Sequence, residues 1–166
     1  MDIIWQELTS GMPDARQLVQ VLIRLLAATL LGAVVGFQRE RAGKPAGFRT
    51  HILVCLGTAV FVLSCSGVGM SLDGLSRVIQ GIVTGIGFIG AGSILKLSDE
   101  RDIQGLTTAA GVWMTAAIGV SVGLGSLGVA LLSTIFTLII LALAGPFEAR
   151  AEKRRKAAAV GEMRKP

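Results

Sequence analysis

Charged residues are scarce in this sequence. Only 16% of its 166 residues are Asp, Glu, Lys or Arg, whereas 52% are hydrophobic, and tyrosine is absent. Soluble domains carry about 25% charged residues, so the composition excludes an ordinary soluble protein. The two cysteines, Cys55 and Cys65, lie in one apolar run. On one helix they would be about 15 Å apart, which is too far for a disulfide, so we interpret them as packing residues.

Acidic residues are missing from the apolar segments. Five runs approach the ~20 residues that a helix needs to cross a bilayer, and they cover residues 18–37, 51–68, 78–95, 106–124 and 127–144. We therefore predict an all-α polytopic membrane protein with five transmembrane helices in residues 1–145, followed by a basic tail in 146–166. Ion relays inside membranes ordinarily use Asp or Glu, so this absence argues against a carboxylate-coupled pump.

Other chemical signatures are missing too. No nucleophile is paired with a base, no metal-ligand cluster is present, and the Gly85-x-Gly87-x-x-Gly90 pattern lacks the strand and the acidic residue of a dinucleotide site. We predict that the protein is not an enzyme and has no cofactor or metal. The basic tail lacks interleaved aromatic residues, which favours attraction to anionic lipid over binding to nucleic acid.

Lysine and arginine are distributed unevenly between the runs. With five helices, the first loop, the third loop and the tail share one side, and thirteen of the 16 basic residues lie there. Arg16 and Arg77 lie on the other side, and Arg24 lies inside the first run, from where it can snorkel to the membrane surface. Because basic residues mark the cytoplasmic side, we predict an outside N-terminus and a cytoplasmic C-terminus.

The densest charge before the tail lies in GFQRERAGKPAGFRTHILV, residues 36–54. A topology signal, or a solvated charged turn, explains its basic residues but not a Thr-His pair directly after a turn. Helix starts favour an anion through their free N–H groups and dipole, and we expect Glu40 to pair with Arg49 there. The candidate functional cluster at the cytoplasmic helix ends comprises Arg39, Glu40, Arg49, Thr50, His51, Thr107 and Thr108.

The stretch LLGAVVGFQRERAGKPAGFRTHILVCLGTAVF resembles the signature of the MgtC/SapB family of bacterial inner-membrane proteins. RVIQGIVTGIGFIGAGSILK and GLTTAAGVWMTAAIGVSVGLG resemble the third and fourth helices of that family, in order. The resemblance covers about Leu25 to Leu124 and implies a short form without the additional soluble C-terminal domain of longer relatives. It also implies a bacterial inner-membrane location, a role in magnesium-limited growth and, in some pathogens, a link to virulence. Family members often have Glu where this chain has Gln38, so no carboxylate role is transferred to that position.

Glycines indicate how the helices pack. Helix association in lipid depends on small residues that let backbones approach each other. The third and fourth runs are rich in glycine, so we expect them to be central, and we expect the fifth run to be peripheral. The predicted packing glycines are Gly32, Gly36, Gly81, Gly85, Gly87, Gly90, Gly92, Gly111 and Gly119. The same motifs also serve homo-oligomers, so assembly of several copies is a second reading.

A shift of 58 residues aligns GFRTHILVCLGTAV with GLTTAAGVWMTAAI. This similarity suggests a parallel repeat of helices 1–2 and 3–4, with Thr50 and Thr108 at equivalent helix starts. Chance similarity between small-residue helices is the alternative.

Two function classes remain open on the sequence. The first is an accessory or regulatory membrane protein in magnesium homeostasis that docks on other membrane complexes, as the resemblance implies. The second is a small oligomeric transporter or channel for an ion or small solute. The lack of intramembrane carboxylates favours the first, because ionisable groups mark ion pathways.

Overall fold

The computed structural model describes residues 14–67, 69–96 and 103–143, together with helical Ile3, Ile4 and Gln6. The described ranges contain five helices of ten or more residues, namely α1 (Ala15–Arg41), α2 (Phe48–Gly67), α3 (Leu72–Gly92), α4 (Leu106–Gly123) and α5 (Leu127–Leu143). Between α3 and α4, the two-residue strands β1 (Leu95–Lys96) and β2 (Ile103–Gln104) pair in antiparallel fashion, with Leu95 opposite Gln104. The predicted helical class is confirmed, with this strand pair as an addition. The predicted tail, residues 146–166, lies outside the described residues.

Four of these helices, α1 to α4, are long and apolar enough to cross a membrane. The chain is therefore a multi-pass membrane protein. Helix α5 is apolar but has 17 residues in the described part, which is short of the length of the other four. It begins at Leu127, as predicted, and residue 144 of the predicted fifth run lies outside the described residues. The five-span topology and its orientation stay predictions.

The helix ends follow from local sequence. The Asp14 carboxylate accepts a hydrogen bond from the Gln17 N–H at 2.7 Å and caps α1, and the Ser71 hydroxyl accepts one from the Gly74 N–H at 3.2 Å and caps α3. Glycine with positive φ reverses the chain after α1, at Gly43, and before α4, at Gly105. These turns set α1 against α2 and bring α4 back to the bundle.

Helices α1, α2, α4 and α5 share the main core. Cys55 and Ala59 of α2 pack with Ile118 and Val122 of α4, and all four are at most 1% exposed. One face of α5 is buried as well, whereas its other faces are exposed. The stripe on that face comprises Ala130, Thr134, Thr137 and Leu141. The prediction of a peripheral α5 therefore holds for the exposed surface of the helix and is wrong for this stripe.

Helix α3 contradicts the predicted central position of the third run. The rest of the chain buries 11% of the apolar span of α3, compared with 50% of the apolar span of α4. A Cβ atom added at Gly81, Gly85, Gly87 or Gly92 would meet no atom within 4 Å. Only Gly90 among the predicted packing glycines of α3 contacts a neighbour, with Ala109 of α4 at 3.6 Å from its Cβ position. The physical reason is that a glycine admits a close neighbour but does not require one.

Candidate functional site

Close contact between α1 and α2 forms the first wall of the site. A Cβ atom at Gly32 would lie 2.7 Å from the His51 carbonyl oxygen, and one at Gly36 would lie 2.8 Å from the Phe48 Cα. Only glycine fits at these two positions without displacing backbone. The two glycines therefore fix the start of α2 against the last third of α1, which carries Arg39.

Close contact between α2 and α4 forms the second wall. A Cβ atom at Gly119 would collide with the Cys55 carbonyl oxygen and the Thr58 hydroxyl, and one at Gly123 would lie 2.7 Å from Val62 Cβ. Residue numbers rise together along the two helices, so α2 and α4 run in the same direction. The N-terminal halves of both helices consequently lie side by side, next to the end of α1.

Four polar side chains meet where these walls converge, and we call them the buried polar cluster: Arg39, His51, Thr108 and Thr115. Each is at most 2% exposed. The Arg39 guanidinium donates a hydrogen bond to the Thr108 hydroxyl at 3.1 Å, and His51 Nδ1 lies 2.7 Å from the Thr115 hydroxyl. Each helix of the three contributes at least one member, so the cluster joins α1, α2 and α4 by polar contacts.

Gly111 leaves room for the arginine and the histidine to lie side by side. An ideal Cβ at Gly111 would be 3.8 Å from His51 Cε1 and 4.0 Å from Arg39 Nε. The Thr115 hydroxyl also donates a hydrogen bond to the Gly111 carbonyl oxygen at 2.9 Å. The two hydrogen-bonded pairs thus lie next to each other at Gly111, in one layer across the bundle.

Sequence reasoning missed Thr115 and the part played by Gly111 beside the cluster. A signal was present, because Thr108, Gly111 and Thr115 are spaced three and four residues apart and so share one face of α4. An Arg near the end of one apolar helix and a His near the start of the next would then have been candidate partners for that face. Spacing of this kind identifies a shared face, but not which helix packs on it.

The other predicted site residues lie outside this layer. Arg49 is exposed, and Thr50 and Thr107 are half-buried. Glu40 is exposed, and its Oε2 accepts a hydrogen bond from the Phe48 N–H at 2.9 Å. Glu40 therefore caps α2 instead of forming the expected ion pair with Arg49, and no described residue forms an ion pair with Arg49. The predicted cluster divides into a buried part and a surface part.

The far end of the bundle carries a second arginine contact. Arg24 Nη1 donates a hydrogen bond to the Gly123 carbonyl oxygen at 3.0 Å, at the C-terminus of α4. A positive charge there also interacts favourably with the helix dipole. Arg24 is thus directed to α4 rather than to the membrane surface. Arg24 and Arg39 hold the two ends of α4 from the same helix.

The chemistry available at the buried polar cluster is that of a cation with hydroxyl and imidazole neighbours. Within the described residues, no three His, Cys, Asp or Glu side chains are grouped so that they could hold a metal ion. The positive charge of Arg39 favours an anion or a hydrogen-bond acceptor beside it. The arrangement is suited to fixing three helices in one register.

Comparison with known proteins identifies relatives of most of the chain. The MgtC family matches residues 25–150. Protein SrpB of Synechococcus elongatus is 46% identical over 71% of this chain and 71% of its own length. The Escherichia coli K12 protein named "Putative magnesium transporter YhiD" is 40% identical over 74% of this chain and 59% of its own length. Protein MgtC of Salmonella typhi is 44% identical over 80% of this chain and 60% of its own length.

The matched region therefore spans about three fifths of the length of the YhiD and MgtC relatives. No solved structure matches the chain significantly. The family match covers most of the chain and includes residues 25–41 of α1 and the whole of α2, α3 and α4. This chain belongs to the MgtC family.

Proposed function

We propose that this protein is an inner-membrane accessory or regulatory factor in magnesium homeostasis, and that it acts by docking on other membrane complexes. The proposal draws its link to magnesium from the family and from the name of the YhiD relative. It differs from that name in assigning regulation rather than transport to this chain.

The observation that carries the proposal is the position of Arg39. Its guanidinium lies in the interior, at the junction of α1, α2 and α4, and is 2% exposed. A Mg²⁺ ion at about 4 Å from a unit positive charge is repelled by roughly 8 kcal/mol at an effective dielectric constant of ~20. An arginine in this position opposes a magnesium path through the centre of one chain.

The experiment compares transport with partner binding for the same preparation. The protein is reconstituted in liposomes that enclose a Mg²⁺ indicator, and in parallel it is purified in native lipid for mass spectrometry of the proteins that accompany it. We expect Mg²⁺ entry at the rate of empty liposomes, together with a reproducible membrane partner. A deletion strain should also regain growth in low magnesium when the gene is restored.

A second candidate function is a small oligomeric transporter or channel. The open glycines of α3 favour it, because they leave one face of the helix accessible to a second copy. Indicator signal that rises faster in protein-containing liposomes than in empty ones would establish this function. The same result would contradict the regulatory proposal.

A further inference from the structure

A groove lies between the outward faces of α2 and α3, apart from the buried polar cluster. Its volume is about 610 Å³, within the ~300–1,000 Å³ range of ligand pockets. Its walls are almost wholly apolar and include Leu53, Gly57 and Phe61 from α2 and Val78, Gly85 and Ile89 from α3. Glycine at positions 57 and 85 leaves the floor open, because no atom lies within 4 Å of either Cβ position.

The side chains that line the groove offer no free hydrogen-bond donor to a ligand. Thr58 is the hydroxyl residue on its wall, and its hydroxyl donates to carbonyl oxygens of α2 itself, at Val54 and Cys55, at 2.9 and 3.1 Å. A polar solute or a hydrated ion would lose its water contacts there without replacement. The occupant must therefore be apolar along this length.

The length of the groove matches an acyl chain. The lining residues of α3 run from Val78 to Ile89, a length of about 16 Å at the ~1.5 Å rise of a helix. The acyl chains of one leaflet fill half of the ~30 Å hydrocarbon core of a bilayer, which is about 15 Å.

A positive charge lies at one end of the groove. Arg49 precedes the lining residue Leu53 by four residues, so the two are neighbours on the surface of α2. Arg49 is exposed and forms no hydrogen bond or ion pair with a described residue. Its planar guanidinium matches a phosphate group, to which it can donate two parallel hydrogen bonds.

We propose that the α2–α3 groove binds an acyl chain of an anionic phospholipid and that Arg49 holds the phosphate of the same lipid. The apolar walls account for the chain, and the cation one helical turn beyond Leu53 accounts for the headgroup. This site is separate from the proposed regulatory function and does not depend on it. The partner of Arg49 is then a lipid phosphate and not Glu40, which the sequence predicted.

The test is native mass spectrometry of the intact protein released from nanodiscs of equal parts phosphatidylglycerol and phosphatidylcholine. Wild-type protein should retain one phosphatidylglycerol per chain, with a preference over phosphatidylcholine of about tenfold. Both lipids offer a phosphate to Arg49, but the choline cation of phosphatidylcholine is repelled by the guanidinium. Arg49→Gln should abolish the preference, and Arg49→Lys should restore part of it. Gly85→Leu should fill the groove and remove bound lipid of both kinds.

Two variants serve as matched controls. Gly87→Leu adds the same side chain to α3 outside the groove, and Arg41→Gln removes an exposed charge that stacks on Phe37 at 4.4 Å. Both should retain lipid as wild type does. An unchanged lipid preference in Arg49→Gln would overturn the proposal. So would a dimer that Gly85→Leu dissociates, because a second copy would then occupy the groove.

Discussion

Helices α3 and α4 are both glycine-rich and long enough to cross a membrane, yet their glycines have opposite surroundings. Cβ atoms at Gly119 and Gly123 of α4 would collide with α2. Cβ atoms at Gly81, Gly85 and Gly87 of α3 would meet nothing within 4 Å. The number of glycines in a membrane helix therefore does not reveal whether the helix is central.

The two helices differ in how their small residues are arranged. In α4, Gly111, Thr115, Gly119 and Gly123 follow one another at four-residue intervals and form one continuous stripe. In α3, Gly81, Gly85 and Gly92 share one face, but Phe88 interrupts it, and Gly87 and Gly90 lie on the opposite side. A continuous stripe lets one neighbour approach along its whole length, whereas scattered glycines leave separate gaps. The stripe on α4 lies against α2, and the gaps on α3 include the floor of the α2–α3 groove.

The sharpest test of this difference compares one methyl group on each helix. Gly119→Ala places a Cβ against the backbone of Cys55, which cannot move without displacing α2. We expect a loss of about 3 kcal/mol or more, the upper range for an overpacked core. Gly87→Ala, the control, should be at least as stable as wild type, because its Cβ meets no neighbour and alanine is the better helix former. Thermal unfolding in detergent, followed by size-exclusion fluorescence, measures both, and equal melting temperatures would contradict the assignment of α4 as central.

The next comparison is between two arginines near the end of α1. Arg39 is buried and hydrogen-bonded to Thr108, whereas Arg41 is exposed and stacks on Phe37. Arg39→Gln should destabilise the protein by about 2 kcal/mol, as expected for a lost hydrogen bond to a charged group. Arg41→Gln should change stability by less than about 0.5 kcal/mol, as surface substitutions do. The same unfolding assay applies, and a similar loss in both variants would argue against a special role for the buried polar cluster.

Growth in low magnesium tests whether the same two substitutions affect function. At matched abundance, Arg39→Gln should support growth less well than Arg41→Gln if the register of the three helices matters for docking. Wild-type growth of both variants would show that the buried polar cluster is not needed for the proposed function and serves helix packing alone.

Sequence reasoning located the helices well because their signals are local. The apolar runs placed the ends of α1, α2 and α4 within four residues and the start of α3 within six, and Gly32, Gly36 and Gly119 were identified as packing positions. It failed where the answer depends on which helices meet. Neither the burial of His51 against Thr115 nor the exposure of α3 can be read from one helix alone. The proposed repeat of helices 1–2 and 3–4 is of the same kind and stays a prediction, although α2 and α4 do run in one direction.

Arg24 either joins two helices or extends to the membrane surface, and its replacement distinguishes these two roles. Its hydrogen bond to Gly123 joins α1 to the end of α4, so Arg24→Gln should cost about 1.5 kcal/mol, the lower end for a charged donor that is only partly buried. Arg16→Gln, at the exposed start of α1, should have no measurable effect. Unfolding in detergent distinguishes these outcomes, because a snorkelling Arg24 would lose its function without a bilayer and its replacement would then be silent.

The smallest expected effect concerns how α2 and α3 begin. The Glu40 carboxylate caps α2 by accepting a hydrogen bond from the Phe48 N–H, eight residues later in the chain. Because Glu40 belongs to the end of α1, this cap also joins α2 to α1. The cap of α3 comes from Ser71, three residues before Gly74. Replacing either residue with Ala should cost about 1 kcal/mol of helix stability. The two losses should differ in how far they extend, since α2 belongs to the main core, whereas α3 contributes only Ile86 to a smaller cluster with α4.

Hydrogen exchange in nanodiscs measures that extent. In Glu40→Ala, exchange should rise at the start of α2 and in α4, because the two helices share the buried polar cluster, and the melting temperature should fall slightly. In Ser71→Ala, faster exchange should be confined to the first turns of α3, with the melting temperature unchanged. A cap on a helix outside the core can fray without loosening its neighbours. If Ser71→Ala instead raised exchange in α4, then α3 would be coupled to α4 more tightly than the contact of Gly90 with Ala109 indicates. That result would contradict the difference between α3 and α4.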